Sequence, residues 1–240
     1  MKRILISILL VATSICTILG QSKLDENTTL AISVETPSGI SNKNAATIIE
    51  NNLTQALVLN GLSATESRFT TITQAVLVNK DVTASAPAKY ITELEVSIFI
   101  ADLYTGVVFG QSSFEVKGVG DSDGESYIDA IRKINSRNPK LKTMIKKAKS
   151  SIIEYFEAHG EEIIGRIDAY MAAKDYQAAA SEIYAIPMIC RDLYNMASER
   201  IAYIPVEDLK IVQGNINAIS KHFYTESRND RILNILGGSN

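Results

Sequence analysis

The sequence predicts an α+β fold: a small mixed or antiparallel sheet with one or two helices, followed by an all-α, tetratricopeptide-like helical module. Three observations predict it. Leu94, Val96, Ile98 and Ile100 alternate strictly with Glu93, Glu95, Ser97 and Phe99, the period of a strand with one buried face. From Lys117 to Ile235 nearly everything can be written as helices divided by Gly and Pro. Hydrophobic residues make up 46% of the 240, enough for one real core or two small ones.

Taken in order, the chain opens with the cationic Met1-Lys2-Arg3 and an apolar run from Ile4 to Leu19, interrupted by Ser7, Thr13, Ser14, Cys16 and Thr17. With Gly20-Gln21 at its end, this reads as a secretory signal over 1–20. Two alternatives stay open. The run approaches the roughly 17 residues that just span a bilayer, and Cys16 raises lipidation, although Ile15 stands where a small residue is expected. The α+β module is expected over 28–137. Leu30 to Val34 alternates as a short strand and stops at the turn Pro37-Ser38-Gly39. Ser41 is placed to cap a helix whose Ala45, Ile48, Ile49, Leu53, Ala56 and Leu57 recur at three- and four-residue spacing up to Gly61. Phe69 to Val82 is rich in Thr and Val, and the alternating strand turns through Asp102–Gly106 into a returning strand, Val108 to Val116.

Ser122 and Glu125 form a capping box before Tyr127, Ile128, Ile131 and Ile134. The helical module is expected over 138–236. Pro139 suits the first turn of a long helix ending near His159-Gly160, the expected joint between the modules. Further helical patterns cover Glu161–Ala173, Tyr176–Ala185, Met188–Tyr203 and Val206 to about His222, with Pro187 and Pro205 at two boundaries. Ala169 to Pro187 looks like the middle and end of a tetratricopeptide repeat, about one helical turn short and without a second copy. Tyr155, Tyr170, Tyr176, Tyr184, Tyr194 and Tyr203 have spacings suited to filling between packed helices.

Val116-Lys117-Gly118-Val119-Gly120 followed by Ser126-Tyr127-Ile128-Asp129-Ala130 resembles the strand-to-helix join of FlgT-like and TolB amino-terminal modules, over roughly Leu30 to Asn135. Adding Asn138-Pro139, the Lys-rich helix, Ile152-Ile153-Glu154-Tyr155-Phe156, Asp175-Tyr176 and Ile186-Pro187, most of the chain resembles a signal-bearing protein type of gut Bacteroidetes and their crAss-like bacteriophages. That resemblance implies an exported or virion-associated structural role and no catalytic residues. Its members carry additional Cys after the Ile-Pro step, where this chain has Cys190 alone.

The chemistry-bearing residues are few. A net charge of -3 argues against a globally basic nucleic-acid binder. Two His and two Cys, one of them in the leader, cannot build the usual structural zinc site. Cys190, in an apolar stretch, reads as a small buried hydrophobe. Gly118-Val119-Gly120 superficially suggests a phosphate loop, but it lacks the Lys-Ser/Thr of a P-loop and carries Asp121 and Asp123 where phosphate would be repelled. A tight turn before a capped helix is the simpler account. Asp121, Asp123 and Glu125 raise calcium, without the length or closing Glu of an EF-hand loop. His159 and His222 lack a nearby nucleophile motif. No catalytic, metal or cofactor residue is assigned.

The strongest charge bias is Arg132, Lys133, Arg137, Lys140, Lys142, Lys146, Lys147 and Lys149. A solvated helix face is one reading; the other is a surface for an anionic partner, formed by Lys140, Lys142, Lys146, Lys147 and Lys149. No aromatics interleave with them, which argues against single-stranded nucleic acid. The expected function is an exported, non-enzymatic protein that binds other envelope or virion proteins, with self-association open and membrane contact only through an uncleaved leader. Two rivals remain: a ligand- or glycan-binding module with a pocket lined by Asp121, Asp123 and Tyr127, and a hydrolase with a dispersed site.

Overall fold

The computed structural model describes residues 30–65, 67–208 and 228–237. The leader over 1–20 with Cys16, most of the helix expected from Val206, and His222 lie outside the described residues.

The sheet has four strands in the order β1 (Ser33–Val34), β2 (Phe69–Val82), β3 (Tyr90–Asp102) and β4 (Val108–Gly120). It is mixed: β1 runs parallel to β2, while β2–β3 and β3–β4 are antiparallel. Helices α1 (Lys43–Leu59), α2 (Asp123–Arg132) and α3 (Pro139–Ala158) cover the face that carries Leu94, Val96, Ile98 and Ile100. There follow α4 (Gly160–Ala172), α5 (Tyr176–Ala185), α6 (Arg191–Ser198), a 3-10 turn at Glu199–Tyr203 and, after a stretch outside the described residues, α7 (Arg228–Gly237).

Local chemistry explains the boundaries. The cap of α1 is Asn42 and not Ser41: its side-chain oxygen accepts from the Asn44 and Ala45 N–H groups at 3.0 and 3.2 Å. Ser122 accepts from Glu125 N–H at 3.2 Å, and the Glu125 carboxylate reaches back to the Asp121 N–H at 2.9 Å, which closes the start of α2. Asn138 caps α3, with Pro139 in its first turn, where the missing N–H costs nothing. The helix expected from Met188 starts later, at Arg191, because Pro187 to Cys190 is spent on a turn closed by Cys190 N–H to Pro187 C=O at 2.9 Å. The first strand is shorter than its alternation predicts. Ala31 makes only an isolated bridge to Ser63, and Leu30 and Ile32 instead plug the core.

One buried cluster runs from Leu30 through α1, the sheet and α2 to α6, and so includes residues of both predicted modules. Ile49, Leu53, Ile98, Ile131 and Ile152 within it are at most 1% exposed, and each such side chain contributes about 1.5–3 kcal/mol of transfer free energy. The helices after α3 do not show a tetratricopeptide-like module. α4 and α5 pack on each other across Ala173-Lys174-Asp175, tied by Arg166 between Glu162 (2.8 Å) and Glu182 (3.4 Å). The opposite sheet face is not wholly solvated. Phe99, on the nominally polar side of the alternation, is buried with Ile72, Ala101 and Leu103 beneath Ile235 of α7.

Gly118-Val119-Gly120 is neither a phosphate loop nor a turn; it is the end of β4. The glycines are there because α2 crosses at the closest range a backbone allows. A Cβ on Gly118 would lie 1.9 Å from the Ser126 carbonyl oxygen and 2.3 Å from the Ala130 nitrogen.

Candidate functional site

The residues singled out for chemistry are mostly occupied within the molecule. The Asp121 and Asp123 carboxylates are paired with Lys89 and Lys80, which pins the β2–β3 hairpin tip to the start of α2. Among the described residues no group of His, Cys, Asp and Glu is placed to hold a metal ion. Tyr127, proposed to share a pocket with them, donates its hydroxyl to the Gly39 carbonyl at 3.3 Å, and burial raises its pKa. A shallow cleft lies elsewhere, between the β3–β4 turn and α7, lined by Tyr104, Thr105, Gly106, Asn234 and Ile235. His159 stacks on Tyr155, and its Nδ1 lies 2.8 Å from the Tyr155 carbonyl oxygen. Cys190 is buried, and desolvation pushes its thiol up to about 11. Of the tyrosines expected between helices, Tyr184 and Tyr203 are instead exposed.

One network was not legible in the sequence. Asp102, fully buried, accepts from Arg68 Nε at 3.0 Å and from Arg68 Nη2, from the Tyr104 N–H at 2.8 Å and from the Thr105 hydroxyl at 2.8 Å. Arg68 also donates to the Ala185 carbonyl at 3.0 Å and lies over the rings of Tyr104, Phe69 and Phe156. It thereby fastens the end of α5 to the sheet. Arg68 and Asp102 are separated by 34 residues in no recognisable motif.

The basic run divides in two. Lys140 is turned to the sheet: its ammonium donates to the Ser113 carbonyl and sits 5.3 Å from the Phe114 ring. Lys133 likewise donates to the Lys117 carbonyl, and Asp129 accepts from the Val119 N–H at 3.0 Å. These side chains close the outer edge of β4. The other free edge, the far half of β2, has its register broken between Leu77 and Asn79, and its Lys80 and Val82 N–H groups are taken by the Asn79 and Asp81 side chains at 2.8 and 2.7 Å. By contrast, among the described residues Lys142, Lys146, Lys147 and Lys149 have no ion pair or hydrogen bond from their ammonium groups. Lys142, Lys146 and Lys149 recur at four- and three-residue spacing, which puts them on one flank of α3. The end turns of that helix run against its dipole, with Lys140 and Lys142 at its start and Glu157 at its end.

No family model matches this sequence, and no curated protein matches it. Among solved structures it is similar to a DUF330 protein of Xanthomonas campestris, at 10% identity and a TM-score of 0.35, over 51% of this chain and 90% of that one. A minor lipoprotein of Acinetobacter baumannii is 13% identical with a TM-score of 0.30, over 52% and 92%. A dodecameric PelC variant of Paraburkholderia phytofirmans is 11% identical with a TM-score of 0.25, over 52% and 85%.

Proposed function

We propose that this chain is an exported, non-enzymatic interaction protein whose α3 surface holds an anionic partner. The single observation that carries the proposal is the row Lys142, Lys146 and Lys149 on one flank of α3, whose ammonium groups have no ion pair or hydrogen bond among the described residues. The first turn of α3 carries no acid to offset Lys140 and Lys142. The leader-like first twenty residues support export. The non-enzymatic reading draws on the buried state of Cys190 and on the engagement of His159, Asp121 and Asp123 by neighbours. Two measurements test it. Mass spectrometry of the protein from its native host is expected to find an amino terminus after Gly20, and an intact Met1 would overturn export. Cross-linking in envelope extracts is expected to join α3 to a partner with an acidic surface, and the Lys142→Glu/Lys146→Glu/Lys149→Glu variant to lose it; an undiminished yield would overturn the role of this surface.

A further inference from the structure

The exposed face of the sheet carries a second unsatisfied set of charges, opposite in sign. Alternation with the buried Leu94, Val96 and Phe114 puts Glu95 and Glu115 on that face, where they are directly paired across β3 and β4. Both are exposed, and neither has a cationic partner among the described residues. The neighbouring rungs are balanced: Glu93 accepts from Lys117 at 2.7 Å, which holds the Glu93 carboxyl below its usual range, and Ser97 and Ser113 share a hydrogen bond at 2.9 Å. Like charges facing each other across a ladder oppose strand pairing. The Glu95–Glu115 rung is thus locally unfavourable. Within one molecule the two sets cannot meet, because α3 lies over the Leu94–Ile100 face and the carboxylates project from the other.

We infer that the Lys142, Lys146 and Lys149 flank of one copy docks on the Glu95 and Glu115 face of a second copy. The contact is head-to-tail, so a pair of molecules keeps one free surface of each sign and the assembly grows into a closed ring or an open row. Side chains occupy backbone groups along the outer edge of β4, which disfavours growth through backbone pairing there and favours a contact through side chains. The inference names a partner for the same α3 surface as the proposed function, and rests on that reading only for the surface's availability.

Sedimentation velocity on the purified protein tests it. Association is expected to weaken about tenfold or more when ionic strength rises from about 0.01 M to about 0.15 M, as the screening length falls from about 30 Å to about 8 Å. Lys142→Glu/Lys146→Glu/Lys149→Glu and Glu95→Lys/Glu115→Lys are each expected to be monomeric with unchanged circular dichroism. Mixed in equal amounts they are expected to associate again, since each reversed surface then meets a complementary one. A monomeric wild type at low salt, association that survives both reversals, or a mixture of folded variants that stays monomeric would each overturn the inference. Should a variant fail to fold, charge neutralisation at the same positions to Gln replaces it, with loss of association expected and its persistence overturning the inference. A monomeric wild type that still cross-links to an envelope partner through α3 would leave the proposed function standing.

Discussion

Replacing Gly118 by Ala probes the tightest crossing in the fold. The added Cβ would meet backbone at 1.9 Å (Ser126 carbonyl oxygen) and 2.3 Å (Ala130 nitrogen), and backbone has no rotamer by which to yield. Reaching ordinary contact needs α2 to withdraw by about 1 Å or more. Such a shift strains the buried Ser126–Thr92 hydroxyl pair, now at 2.7 Å, and loosens Ala130 and Ile131, both 0% exposed. Overpacking of about 1–3 kcal/mol together with about 1 kcal/mol for the hydrogen bond gives about 2–4 kcal/mol. That is a large fraction of the roughly 5–15 kcal/mol that holds a typical domain together. Urea unfolding is expected to show a lower midpoint at unchanged slope. Gly165→Ala is the control: it lies in α4 with nothing within 4 Å of its added carbon, and should gain about 0.5–1 kcal/mol from helix propensity. If Gly118→Ala unfolds within about 0.5 kcal/mol of the parent, α2 does not press on β4 and the account of these glycines fails.

Asp102→Ala is expected to cost about 3–5 kcal/mol in the same assay, because it strands the Arg68 guanidinium in a mostly buried position. A loss below about 1 kcal/mol would mean that water reaches the pair. Cys190 is expected to stay unmodified by iodoacetamide at neutral pH until the chain unfolds; fast alkylation of the native protein would contradict its burial. Burial lifts its folded pKa to about 11, above the 9.0 of a free thiol, so the stability it confers is complete below pH 9 and lost as pH rises through 11. A Cys190→Ala variant should show a flatter stability profile over that interval, and an identical profile would remove the thiol as its cause. Lys133→Met/Lys140→Met opens the outer edge of β4 and is expected to raise light scattering on incubation, with thioflavin binding; a soluble variant would show the edge is protected by other means.

Much of the architecture could be read from one chain because its signals are local. The alternation at Leu94–Ile100, the Ser122 and Asn138-Pro139 starts and the Gly106 turn each act within a few residues, and each stands as an element in the fold. Phe99 could not be placed, since its alternation marks it as solvent-facing and the helix that buries it begins at Arg228. The same distance hid the site. Lys80 meets Asp123 across 43 positions and Lys89 meets Asp121 across 32, so acids that read locally as a cation loop are already neutralised. Lys140 looked like its neighbours in the basic run until the β4 edge claimed it. The lysines left over, Lys142, Lys146 and Lys149, were visible from the start; that they lack partners among the described residues is a three-dimensional fact.

The occupied outer edge of β4 has a consequence for materials built from this chain. A lattice knitted strand to strand is welded by main-chain bonds and resists dilution, whereas subunits that meet only through the tips of long side chains can be parted by brine and reassembled on rinsing. A coat or fibre joined through the α3 lysines and the Glu95–Glu115 face would be a removable one.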